Sequence, residues 1–318
     1  MDSHIDVLVI GAGVSGLTVA ICLAEAGLAV RVRTRRFPAA TSCAAGAVWG
    51  PYLTDDERVL PWSERSRVIL TGLANDPASG VRVVHGLEAS QHGIPPPTWA
   101  QGLDSYRVAA AAELPAGFTS GWWYSAPVID MPVYLDYLVR RLAASGGTIE
   151  VGEVRSLEAA AALAPIVVNC AGVEASELTD DPELTPVRGE LVVVENPGID
   201  TFFAQHDESA EPVYYLPQGN QVVLGGSVLP GRTDLEPDAK IAAAITARCA
   251  AIEPRLGNAR VIGHRVGLRP SRPRVRLELE QTPWGQVVHN YGHGGAGVTM
   301  SWGCALEVAR LVHPSAYE

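Results

Sequence analysis

The chain has 318 residues, 47% of them hydrophobic, and a formal net charge of −11 at neutral pH. The apolar share is enough for one large core or two smaller ones, and an acidic chain without a basic run does not suit nucleic acid or an anionic membrane as partner. Five widely spaced cysteines without a CxxC, and eight histidines without HExxH spacing, argue against a disulfide framework and a metal site. We therefore expect no metal and a reducing, cytoplasmic setting.

The opening "MDSHIDVLVIGAG" has no basic segment before its apolar stretch, which stops at glycines well short of a bilayer's width. Neither a signal peptide nor a membrane helix is expected. Val7–Ile10 is a continuous apolar run, as in a strand buried on both faces. Gly11, Gly13 and Gly16 follow in GxGxxG spacing. An alanine-rich apolar stretch over 17–26 then stops at Gly27, and residues 30–32 resume a strand. Gly11 permits a tight turn, Gly13 removes a Cβ from the path of a pyrophosphate, and Gly16 lets helix and strand pack closely. The helix start offers the phosphates unpaired N–H groups. This is a dinucleotide-binding βαβ unit. A carboxylate for the adenosine ribose would end its second strand, but Thr34, Arg35 and Arg36 stand there. The arginines either meet the adenosine side or are solvated, and the fingerprint alone does not separate NAD, NADP and FAD.

Residues 52–126 break the pattern with Pro95, Pro96, Pro97, Trp99, Trp122 and Trp123, and read as loop-rich with some strands. "DMPVYLDYLVRRLAASGG" reads as a helix, with Asp130 as N-cap, Pro132 in the first turn, Leu135, Leu138 and Leu142 on one face, and Gly146 and Gly147 as the stop. "APIVVNCAG" is a second buried strand that ends in small residues. "ELVVVE", "VYYLP" and "QVVLGGS" alternate as antiparallel strands do, 239–251 is helical, and "RVIGHRVGLRPSRPRVRLELE" reads as strand with turn prolines. The two kinds of segment interleave. The expected class is α/β: a doubly wound dinucleotide-binding domain (1–75, 130–185 and 265–318) and a substrate domain on a mixed, largely antiparallel sheet (76–129 and 186–264).

"VVHNYGHGGAGVTMSWGCA" near the end repeats the opening logic: a strand, a turn with Gly292, Gly294, Gly295 and Gly297, and a helix over 298–311. Its backbone can approach something flat or charged, with a helix N-terminus directed at it. A flavin ring, whose N1–C2=O edge becomes negative on reduction, is such a group.

Together, "VLVIGAGVSG", "TSCAAGAVWGPYL", "DMPVYLDYL", "VVNCAG", "PVRGE", "PVYYLPQGNQVVLGGS", "VGLRPSRPRVRLELE" and "HNYGHGGAGVTMSWGCALE" resemble the D-amino-acid oxidase family in order and spacing over almost the whole chain. The resemblance implies non-covalent FAD and oxidation of a D-amino acid to its imino acid, with electrons passing to dioxygen. Hydrolysis then gives an α-keto acid and ammonium, with hydrogen peroxide as co-product. It assigns the substrate carboxylate to Arg269 and the Tyr214 hydroxyl, and the substrate amine to the Gly295 carbonyl. Gly11, Gly13, Val14, Ser15 and Gly16 match the pyrophosphate loop, Arg35 and Arg36 the adenosine side, and Val154 a backbone contact to adenine. Thr41, Ser42, Gly46, Ala47 and Val48 lie along the ring and its chain, and Gly294, Gly295, Ala296, Gly297, Val298 and Thr299 along the flavin edge. Hydride transfer from Cα to flavin N5 needs orientation rather than a base. His289 and His293 are therefore read as structural or cofactor-side.

Two departures stand out. Ala210 occupies the place of a lid tyrosine in many animal members, and Cys43, beside the cofactor stretch, is read as a small inert hydrophobe. The alternatives are acidic D-amino acids, for which Arg232 or His206 would supply a second cation, a nicotinamide-dependent reductase, and a flavin module without turnover. Oligomeric state is left open, with a homodimer as one expectation.

Overall fold

The computed structural model describes residues 4–52, 56–103, 105–207 and 211–314, whose fourteen strands form one sheet. The opening unit forms as its pattern predicts. β1 (Val7–Ile10) is buried throughout, α1 (Val14–Glu25) crosses over, and β2 (Val30–Thr34) returns parallel to β1 with Val30, Val32 and Thr34 turned inward. A single turn, α2 (Ala40–Cys43), follows.

The stretch read as loop-rich contains a long helix instead, α3 (Val59–Leu73). Pro61 lies in its first turn, where a missing N–H costs little. Its inward positions are Val59, Trp62, Ser63, Ser66 and Leu70, so two serines interrupt the apolar stripe. Ser66 donates to the Trp62 carbonyl (2.9 Å) and accepts from the Gly303 amide (2.9 Å), which satisfies a hydroxyl with no exposed surface. The same region also builds β3 (Val81–Ser90), α4 (Thr98–Gln101), β4 (Arg107–Val108) and β5 (Ser120–Ile129), with β3 and β5 paired antiparallel along their whole length.

α5 (Met131–Ala144) buries Leu135, Leu138 and Leu142 as expected. Asp130 stands at its N-cap, but its carboxylate makes no capping bond and accepts from Gln221 Nε2 at 3.0 Å. β6 (Thr148–Val151), α6 (Leu157–Ala161), β7 (Ile166–Asn169) and α7 (Ala175–Thr179) complete the first half of the chain. Then come β8 (Thr185–Glu195), β9 (Phe202–Gln205), β10 (Tyr214–Gln218), β11 (Gln221–Gly225) and β12 (Leu229–Pro230). α8 (Ala239–Ile252) is capped by the Asp238 carboxylate on the amides of Lys240 and Ile241. β13 (Val261–Thr282), β14 (Gly285–His293) and α9 (Gly297–Val312) end the described fold.

The order across the sheet is β4-β5-β3-β9-β10-β11-β8-β13-β14-β7-β1-β2-β6, with β12 added to β8. From β14 to β6 every pairing is parallel; from β13 to β4 every pairing is antiparallel except β3 with β9. β13 joins the halves. Its first part pairs with β8 as far as Ser271, where pairing with β14 begins and, after a register shift, resumes from Arg276. The expected turn at the prolines is absent. Pro273 falls in the gap between the two registers, where no ladder bond requires its missing N–H. α1, α3 and α9 pack together over one face of the parallel half, and Ile245 and Cys249 of α8 join a second core beneath the antiparallel half. Among the described residues no helix is long and apolar enough to cross a membrane.

Candidate functional site

The first glycine loop is held by steric necessity. Gly11 has φ of +101°, and a Cβ there would lie 2.4 Å from the Cys170 carbonyl oxygen. A Cβ at Gly16 would lie 1.9 Å from the Gly11 oxygen, so helix and strand approach as closely as backbone allows. Gly13 is the N-cap of α1 and bears no side chain to cap it, and the first turn carries no acidic residue. Ser42 accepts the Val14 amide at 3.0 Å, which draws α2 against the helix start. The amides of Ser15 and Gly16 have no acceptor within the helix and are placed for an anion.

The second glycine loop lies beside the first because β14 runs parallel to β7, and β7 to β1. Asn290 Nδ2 donates to Ser15 Oγ (3.0 Å) and Thr18 donates to the Ser301 carbonyl (3.2 Å), so the two loops are bonded to each other. His293 Nε2 lies 3.0 Å from Asn290 Oδ1. The Asn290 amide already donates to Ser15, so this ring nitrogen carries the proton. Burial lowers the His293 pKa to about 4, and burial, with Arg276 nearby, lowers that of His289, whose Nε2 meets Glu280 at 3.0 Å. Both rings are neutral and occupied by structural contacts. Gly294 has φ of +54°, and a Cβ there would lie 3.8 Å from Ser271 Oγ; Gly295 is exposed, and Ala296, Val298 and Thr299 are buried around the start of α9. The side chain of Thr299 accepts the Gly50 amide at 3.3 Å.

Between the loops runs the stretch after α2. Thr41 donates to the Leu268 carbonyl (3.2 Å) over Gly267, where a Cβ would press on Ala44 and Thr41. Gln218 Nε2, which sequence reasoning missed, donates to the carbonyls of Gly46 (2.9 Å) and Ile129 (2.7 Å), while the Ile129 amide donates to Ala47. Val48 forms a bridge to Val128. At the far end, Ile10, Gly11, Thr34, Arg35, Val154 and Glu174 line a cleft. Arg35 does not reach into it as a free cation. Glu177 holds it at 2.6 and 3.3 Å, with Glu153 and Glu174 at 3.4 and 3.7 Å, so three carboxylates offset its charge. That end is a poor receptor for a ribose phosphate. Arg36 is exposed.

The antiparallel half supplies side chains. Arg269 stands opposite Val187, and Leu191, four residues along, stands opposite Gly225, which in turn faces Tyr214. Residues two apart on a strand share a face, so Arg269 and Tyr214 project to the same side. Arg269 lies flat on Gly189, where a Cβ would sit 2.5 Å from the guanidinium carbon, and its Nη1 donates to the Ser227 carbonyl at 3.0 Å. The Tyr214 ring covers Gly225 and touches Gly46. Burial raises the Tyr214 pKa, and the Arg269 charge opposes that rise. Tyr215 points the other way and stacks on Phe203, with ring centroids 5.8 Å apart. Gly189 and Ser227 were also missed. A glycine inside a strand pattern signals close approach, and "PVRGE" carries that signal. Arg232, considered as a second cation, is held by Asp234 at 2.9 and 3.0 Å. Burial raises the Cys43 pKa, as befits an inert thiol. Ala210 lies outside the described residues.

Comparison with known proteins gives this geometry its family. The sequence profile of the DAO family, described as FAD dependent oxidoreductase, matches residues 6–311. The chain belongs to that family of FAD dependent oxidoreductases. It is 49% identical over 308 residues to a D-amino-acid oxidase of Rubrobacter xylanophilus (96% of this chain, 94% of the relative). It is 47% identical over 313 residues to a D-amino-acid oxidase of Streptomyces coelicolor (96% of each). Glycine oxidase from Geobacillus kaustophilus shares the fold, with a TM-score of 0.82, 20% identity, and coverage of 98% of this chain and 95% of that one. The residues present fit FAD. The glycine cradle and the α1 start suit its pyrophosphate, the cleft at Val154 its adenosine, and the Gly46–Thr299 side its ring.

Proposed function

We propose that the chain oxidises D-amino acids to imino acids, with dioxygen as electron acceptor and peroxide, α-keto acid and ammonium as final products. The observation that carries this reading is the seat of Arg269: a planar cation laid on Gly189, sharing a face with the Tyr214 hydroxyl, beside the Gly46 loop. A guanidinium edge and a phenol on one face suit a carboxylate, which accepts from both. Bound FAD would supply the acceptor for the substrate's α-hydrogen. The chain's own part is orientation. Arg269 and Tyr214 fix the carboxylate, the Gly295 carbonyl accepts from the amine, and the buried walls exclude water. No side chain needs to take the α-hydrogen, in keeping with the structural contacts of His289 and His293. Five cysteines, four of them buried and none in a disulfide, support a reducing, cytoplasmic setting.

The test is a peroxide-coupled screen of the yellow protein against paired D- and L-amino acids. Peroxide is expected from D-forms and not from their L-partners. Turnover of L-forms alone, or of none, rejects the reading.

A further inference from the structure

The ladder on one edge of β8 is interrupted beside the Arg269 seat. β11 pairs with β8 as far as Gly225 opposite Leu191, and β12 resumes at Leu229 opposite Arg188. Residues 226–228 therefore stand against Gly189 and Glu190 alone, one residue more than a regular ladder holds. Such an excess takes backbone groups out of the ladder and re-aims them. Ser227, which is buried, lies in the middle of it. Its Oγ accepts the Glu190 amide at 3.0 Å, where a strand carbonyl would otherwise do so. Its own carbonyl is thereby left to accept from Nη1 of Arg269 at 3.0 Å.

The same segment bears on Tyr214. A Cβ on Gly225 would collide with the Tyr214 ring, and one on Gly226 would lie 3.0 Å from its hydroxyl oxygen. The phenol thus rests on Gly225 and Gly226, while the guanidinium is bonded to the next residue. This short stretch is fixed from behind. Arg248 of α8 donates to the Gly226 carbonyl at 2.8 Å, and the Gly226 amide donates to the Pro212 carbonyl at 2.6 Å. Glu190, next to Gly189, turns to the opposite face of β8. There its carboxylate accepts from Arg188 Nη2 (2.9 Å) and from the Asp238 amide (3.0 Å), and Arg188 also donates to the carbonyls of Asp234 (2.9 Å) and Glu236 (2.6 Å). Neither side chain of this pair has exposed surface. The chain that leaves Ser227 is therefore tied back to β8 before α8 begins.

We propose that Ser227 is a positioning residue for substrate recognition: pinned by the Glu190 amide, its carbonyl fixes the roll of the Arg269 guanidinium and its spacing from the Tyr214 hydroxyl. One N–H of Nη1 is taken up by that carbonyl, and the remaining N–H groups are left for the two oxygens of a carboxylate. Without Oγ the buried Glu190 amide loses its acceptor, and nothing polar holds the side of residue 227 to β8. The inference rests on the carboxylate seat of the function proposed above.

The test uses the purified flavoprotein with D-methionine as substrate and benzoate as a carboxylate that is not oxidised, its binding followed by the flavin spectrum. In S227A, KM and the Kd for benzoate are expected to rise together by about 5-fold or more, with kcat within about 2-fold of wild type. S227T keeps the hydroxyl acceptor and should bring both back to within about 2-fold. R248M, altered on α8 and away from the substrate face, should raise both by about 3-fold, and it is the deciding variant if S227A is recovered without flavin. KM and Kd unchanged in flavin-loaded S227A and R248M overturn the inference alone. So does a fall in kcat with KM and Kd unchanged, or an S227T as weak as S227A, which would make the hydroxyl irrelevant. Wild-type protein that is yellow yet turns over no D-amino acid and binds no benzoate overturns the reading and the inference together.

Discussion

In the parallel half, from β14 to β6, the positions proposed to meet the cofactor are Gly11, Gly13, Gly16 and Gly294, with amides at two helix starts. In the antiparallel half the positions proposed to meet the substrate are Tyr214 and Arg269. The contrast follows from what each half has to hold. A pyrophosphate and a flat ring need close backbone and oriented N–H groups, which any side chain would obstruct. A zwitterion needs charge at fixed points, which only side chains supply. The first half should therefore fail when a methyl group is added, and the second when a charge is removed.

The hardest test of that division is R269A. Leaving the substrate carboxylate without its partner costs about 2–5 kcal/mol, so kcat/KM is expected to fall about 30-fold or more for every D-amino acid. Flavin content, read from absorbance, should stay near one per chain, because no part of the Arg269 seat belongs to the glycine loops. R269K should not rescue, since an ammonium has no plane to lie on Gly189 and no second edge to offer. Loss of flavin in R269A would show that the halves are not separable.

A smaller effect sharpens the other side. The loops of the parallel half are joined through neutral groups, and His293 is one of them. Its folded pKa of about 4 lies below the ordinary 6.5. The unfolded chain therefore binds the proton first, and the stability His293 contributes is present above pH 6.5 and lost as pH falls toward 4. At pH 5 the loss is about 2 kcal/mol. Denaturant unfolding at pH 7 and pH 5 measures it. H293Q keeps an N–H for Asn290 and does not titrate, so its stability should fall less between the two by about that amount. His289 titrates in both proteins and cancels in the difference. Equal falls in wild type and H293Q would mean that the ring is already solvated in the folded state.

The two halves were not equally legible in the sequence. β1, the glycine loop, α1 and β2 could be read because every signal was local: an apolar run, glycines at fixed spacing, a helix and its stop. α3 could not, because Ser63 and Ser66 occupy inward positions. They are buried only because α9 comes close enough for the Gly303 amide to reach Ser66, and no window around residue 63 contains that fact. The continuity of β13 was hidden by its prolines, which read as turns; Pro270 stands opposite Pro186 of β8, and Pro273 falls in the register shift between Ser271 and Arg276. Arg269 and Tyr214 were drawn together by family resemblance, but their common face is a product of register through β8 and β11, which no local pattern states.

Gly189 offers the finest test, because it is a glycine in the half otherwise built from side chains. It pairs with Gly267 of β13, and on the other edge of β8 its neighbours are paired, Arg188 with β12 and Leu191 with β11, so its backbone is held while the atoms above it belong to the end of a flexible arginine. In G189A the new Cβ, 2.5 Å from the guanidinium, must displace the side chain rather than the strand. Folding stability should change little. The cost, about 1–2 kcal/mol by the usual measure of overpacking, falls instead on where the charge sits. KM for D-amino acids is then expected to rise about 10-fold with a smaller change in kcat, since the carboxylate is held in ground state and transition state alike. A fall in kcat with KM unchanged would place the role of Gly189 in the reacting geometry. Unaltered kinetics would mean that the arginine reaches its substrate from another position, and the contrast between the halves would lose its sharpest example.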